Sequence, residues 1–88
     1  MYRINNASKL DWMLLNLPTN ATRLFLRLCS LMKGDNVLII KQTALADDLG
    51  IGRNTVQRNM YALRKMGAIS FKSIRFGVRV EINKDIVS

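Results

Sequence analysis

The sequence predicts a mainly helical α+β fold of about four helices, one short strand and a C-terminal β-hairpin, and three observations carry that expectation. In "ATRLFLRLCSLMKG", Leu24, Phe25, Leu28, Leu31 and Met32 fall at i, i+1, i+4, i+7 and i+8, the stripe of an amphipathic helix. Two shorter helical patterns flank a tight "LGIG" turn. Beyond them, "AISFKSIRFGVRVEI" alternates with period two on both sides of Gly77.

Each element has its own justification. In "SKLDWMLLN", Ser8 and Asp11 have capping-box spacing, which predicts a helix over 8–17 ended by Pro18. The long amphipathic helix spans 20–33 and stops at Gly34, with Arg23, Arg27, Ser30 and Lys33 off its apolar stripe; Arg23 and Arg27 are read as solvated charges. "GDN" is turn chemistry, and "VLII" is short and β-branched, giving a strand at 37–40. Over 42–49, Leu45, Ala46 and Leu49 share one helix face and Asp47 and Asp48 the other. Gly50 suits a left-handed C-cap, and Ile51 can then turn into the core. Val56, Met60 and Leu63 define a helix over 53–66 that ends at Gly67, and the hairpin occupies 68–83. With no repeat or low-complexity run, the 88 residues read as one domain, which buries ~60–65% of its unfolded surface.

Charge narrows the partner. The chain carries 14 Lys plus Arg against 6 Asp plus Glu, a formal net charge of +8. Seven basic residues and no acid lie between Arg53 and Arg79, so that segment alone supplies +7. Such a bias favours a nucleic acid or another anionic surface. Cys29 is the only cysteine and sits in an apolar helical pattern, as a small core residue of a reducing, cytoplasmic protein would. The opening residues make a poor signal peptide, no apolar run approaches the ~20 residues of a membrane span, and "NAS" and "NAT" are read as chance glycosylation matches. With no His and scattered carboxylates, the sequence offers no catalytic triad, zinc cluster or acid/base pair, so neither an enzyme nor a cofactor is expected. "GIGRNT" lacks the third glycine of a phosphate-binding loop.

The order helix, helix, strand, helix, glycine turn, helix, hairpin is that of a winged helix-turn-helix. The stretch "IKQTALADDLGIGRNTVQRNMYALRKMGAI" resembles the core shared by MarR-like, GntR-like and plasmid replication winged-helix proteins, and the resemblance covers about residues 37 to 83. It implies that helix 42–49 braces helix 53–66, which lies in the major groove of double-stranded DNA with its N-terminal side chains at base edges. Opposite Val56, Met60 and Leu63 stand Arg53, Asn54, Gln57, Arg58 and Tyr61, with Thr55 near the helix start. Asn54, Gln57 and Arg58 suit base contacts, and Arg53 and Thr55 suit phosphate. Arg64 and Lys65 serve either DNA or the helix dipole. The hairpin would be the wing, offering Lys72, Arg75 and Arg79 to phosphates or the minor groove, with Phe76 packed under its turn. Backbone amides at Gln42 and Thr43 could meet another phosphate.

Helix 8–17 holds Leu10, Trp12, Met13, Leu14, Leu15 and Leu17, which is more apolar surface than one core contact needs. Either it closes the core or, through Trp12 and Met13, it forms a homodimer interface. Three functions stay open at this point: a dimeric transcriptional repressor competing with polymerase, the DNA-binding domain of a plasmid or phage replication initiator, and a winged-helix module for protein assembly. RNA is disfavoured because few exposed aromatics are available for stacking. No small-molecule effector site is evident in so short a chain.

Overall fold

The computed structural model describes residues 2–32 and 34–88. Four helices, α1 (Ala7–Asn16), α2 (Thr19–Leu31), α3 (Gln42–Leu49) and α4 (Arg53–Lys65), are joined by three strands, β1 (Val37–Ile40), β2 (Ile69–Ile74) and β3 (Gly77–Ile82). This is a winged helix-turn-helix: α3 and α4 are the helix pair, and β2 with β3 is the wing. Among the described residues no helix is long and apolar enough to cross a membrane.

The start of α1 departs from the expected capping box. Asn6, not Ser8, is the N-cap, and its side-chain oxygen accepts from the Lys9 amide at 3.0 Å. Asn caps as well as Ser, so the helix opens one residue earlier. At the other end, Leu17 is extended, as a residue before proline must be, and Pro18 begins α2 rather than merely ending α1. Its carbonyl accepts from Ala21 at 2.9 Å. Lys33, placed by the sequence at the end of α2, lies outside the described residues.

The turn between α3 and α4 is built by backbone chemistry. Gly50 has φ 67° and ψ 33°, and the Ile51 amide donates to the Ala46 carbonyl at 3.1 Å, a Schellman closure that satisfies an orphan acceptor. Ile51 is half-buried against the core, with only Gly52 between it and the start of α4. Val56, Met60 and Leu63 are fully buried, together with Phe25, Leu24 and Leu28 of α2. The helix pair is therefore seated on α2 rather than on itself alone.

The sheet order is β1-β3-β2, all antiparallel. Val78, Val80 and Ile82 face the core, and the register sets Leu38 and Phe71 either side of Val80. On β2 this anchoring stops at Phe71, because the strand is exposed from Lys72 to its end, whereas β3 is still buried at Val78 beside the turn. The chain also continues to pack beyond the last strand: Ile86 and Val87 are buried, and the buried Asn36 amide donates to the carbonyls of Ile82 at 3.0 Å and Val87 at 2.6 Å.

Candidate nucleic-acid interface

The period of α4 sets its solvent face. With Val56, Met60 and Leu63 buried, Arg53, Asn54, Gln57, Arg58, Tyr61 and Lys65 are exposed and Thr55 is half-buried. Asn59 is the exception among the polar residues of the helix, being 7% exposed, and its Nδ2 donates to the Thr55 carbonyl at 2.8 Å.

Between α4 and the wing runs an open groove of about 500 Å³, lined among others by Lys41, Gln42, Thr43, Arg53, Gln57 and Arg75. Its lining contains three cations and no acid. Two helix N-termini stand beside it, since Gln42 opens α3 and Arg53 opens α4, and neither helix has a side-chain cap. Uncapped amides at the positive end of a helix dipole attract anions. The electrostatics of the groove thus come from three side chains and two backbones acting with the same sign.

The wing residues do not act as one group. Arg75 and Phe76 form the tip on the groove side. Lys72 and Arg79 are direct cross-strand partners on the sheet face opposite Val78 and Val80, so they point away from the core side, and Arg79 pairs with Glu81 at 3.7 Å. Phe76 is 73% exposed, which corrects the expectation that it packs under the turn: the hairpin projects past the last core layer, leaving nothing there to pack on.

Other residues mattered more than their sequence pattern suggested. Arg64 lies over the rings of Tyr61 at 4.7 Å and Phe71 at 4.6 Å, which are themselves edge to face at 5.5 Å, so α4 is stacked to the wing through a guanidinium. Arg23 and Arg27 are not simply solvated. Arg23 donates to the Leu49 carbonyl at 3.2 Å, satisfying the C-terminus of α3, and Arg27 holds both carboxylate oxygens of Asp48. Both contacts cross from α2 to the bracing helix, and no local signal announces them.

On α1, Met13 is fully buried and offers no surface to a second chain, correcting its place in a dimer interface; its side chain is needed by the core. Trp12, Leu14 and Leu15 are exposed at 48%, 54% and 84%.

Among curated proteins no sequence matches the chain. A comparison with protein families matches residues 15–69 to the helix-turn-helix domain, from the end of α1 through α2, β1, α3 and α4 to the first residue of β2. That match covers well over half of the 88 residues and includes the whole of the helix pair described above, so the chain belongs to the helix-turn-helix domain family.

Proposed function

We propose that this protein is a sequence-specific double-stranded DNA-binding regulator of transcription that reads the major groove with α4. The observation that carries the reading is the acid-free groove between α4 and the wing, with Lys41, Arg53 and Arg75 in its lining and two uncapped helix N-termini beside it. Asn54, Gln57 and Arg58 read base edges, Arg53 and Thr55 hold phosphate, and the first amides of α3 at Gln42 and Thr43 receive a second phosphate. Tyr61 and Lys65 extend the contact along the helix, and Arg75 contributes from the wing. Lys72 and Arg79 add positive potential from the far sheet face. The protein has no catalytic step of its own in this reading, and represses by occupying a promoter in the cytoplasm.

A second copy of the chain docks through the exposed Trp12, Leu14 and Leu15 of α1. Residues 1–20 hold Arg3, Lys9 and Asp11, a net charge of only +1 in a molecule of +8, so two copies can approach there with little repulsion. Dimerisation makes the expected target an inverted repeat.

Selection of bound duplexes from a randomised pool at near-physiological salt, with the protein mass in solution measured alongside, tests this. Enrichment of a spaced inverted repeat by a dimer is the expected result. A single or tandem half-site would move the reading to a replication initiator of the winged-helix type, and binding that is non-specific and salt-labile throughout would remove base readout.

A further inference from the structure

The tip of the wing carries an aromatic ring that neither turn geometry nor packing requires. Ile74 and Gly77 are paired, leaving Arg75 and Phe76 as the entire connection. Two-residue hairpin turns match the twist of their strands when one or both central residues have positive φ, which favours Asn, Asp and Gly. Neither Arg75 nor Phe76 has positive φ, and the departure is taken by Gly77 at φ 154°. Turn geometry therefore gives no reason for a phenylalanine. Packing gives none either, because the ring is 73% exposed beyond the last core layer. A large exposed apolar side chain that the fold itself does not use is a candidate for contact with a partner.

What surrounds the ring indicates that function. The Arg75 guanidinium lies 5.3 Å from its centroid, at the end of a segment with no acid between Arg53 and Arg79. An apolar ring beside a cation, carried on a narrow basic hairpin, has the chemistry of a minor-groove wedge: the cation follows the negative potential of the groove and the ring enters between base pairs. A wedge must also be held firmly while it unstacks a base step. Here the wing is held along its length, since at the tip the Ile40 carbonyl lies too close to Gly77 for any side chain, and further down Arg64 stacks α4 onto Phe71.

We propose that Phe76 is an intercalating wedge: when α4 occupies the major groove, the wing tip enters the adjoining minor groove, Arg75 follows the phosphates, and the Phe76 ring inserts between two base pairs and bends the duplex. This rests on the DNA-binding reading above. It adds a preference that no hydrogen bond from α4 supplies, for a deformable pyrimidine–purine step such as TpA at the wing's position.

The test uses a mixed-sequence duplex of about 40 base pairs, well below the persistence length of DNA, with a central TpA step and a dye at each end. Energy transfer at saturating protein and low salt reports bending, expected at on the order of 20–90° for the wild type. Phe76→Ala should bind about tenfold more weakly and leave the duplex straight, while Phe76→Leu, still an apolar wedge, should bend it. Thermal unfolding checks that both remain folded. The indole introduced by Phe76→Trp, its emission taken as the difference from the wild type's Trp12 signal, should be quenched on binding and shielded from acrylamide. If the wild type binds the duplex but leaves it straight and that indole stays accessible, the wedge is wrong and the DNA-binding reading stands. If the wild type binds no duplex at low salt, the DNA-binding reading itself fails and the wedge with it.

Discussion

The carbonyl oxygen of Ile40 lies 2.8 Å from the point where a Cβ on Gly77 would stand, nearer than side-chain carbons come to backbone oxygen. Gly77 also has φ 154°, a conformation that side chains rarely adopt. The tip end of the wing is thus held where the last residue of β1, directly before α3, meets the first strand residue after the turn. Gly77→Ala should destabilise the fold by about 1–3 kcal/mol, more than Gly34→Ala, where φ is +85° and nothing lies within 4 Å. Urea unfolding followed by circular dichroism checks the ranking; equal losses would mean that the Ile40 contact relaxes freely.

The Arg27–Asp48 pair joins α2 to α3 with both side chains partly solvated, at 44% and 38% exposure. That exposure limits its worth in spite of its two-oxygen geometry. A double-mutant cycle with Arg27→Ala and Asp48→Ala should give a coupling of about 0.3–1 kcal/mol, falling towards zero at about 1 M salt. A coupling that ignores salt would show that the aliphatic part of Arg27, and not its charge, braces α3.

Burial pushes the Cys29 thiol from an ordinary 9.0 up to about 12. The neutral thiol is therefore the form the fold favours. Its contribution to stability is complete below pH 9.0 and is lost as pH rises towards about 12, since only the unfolded chain releases the proton easily in that window. At pH 8, Cys29 should resist a thiol reagent in the native protein and react fully in concentrated urea. Rapid labelling of the native protein would place the thiol at the surface in a populated open state.

Most of the fold was legible because each element announces itself within a few residues. The stripe of Leu24, Phe25 and Leu28 marks α2, and the φ demanded at Gly50 marks the turn into α4. Of the candidate site, the outward side of α4 follows directly from the spacing of Val56, Met60 and Leu63. Other features depend on partners distant in the chain. Arg23 meets Leu49 across 26 residues and Arg27 meets Asp48 across 21, and nothing beside either arginine signals it. The pairing of β1 with β3 is hidden for the same reason. On α1 the difficulty was different: apolar residues surround the helix, so its period could not separate buried Met13 from exposed Trp12. Phe76 failed because an isolated aromatic at a turn carries no information on how far the core extends.

Three of the basic residues should separate by their position. Arg58 is exposed on α4 opposite the core, Arg75 stands at the wing tip beside the groove, and Lys72 lies on the outer sheet face against Arg79. A base-reading arginine loses discrimination when removed, whereas a phosphate-binding one loses affinity on every sequence alike. Arg58→Ala should therefore cost about 1–3 kcal/mol on the selected site and relax a single base position. Arg75→Ala should weaken all duplexes together and reduce the slope of log affinity against log salt by about 1. Lys72→Ala should do least, because its face is turned from the groove. Titrations of each variant against the selected duplex and a scrambled one, at several salt concentrations, distinguish the three. Uniform loss from Arg58→Ala would move base reading away from the middle of α4, and a large effect from Lys72→Ala would mean that DNA reaches the far side of the wing.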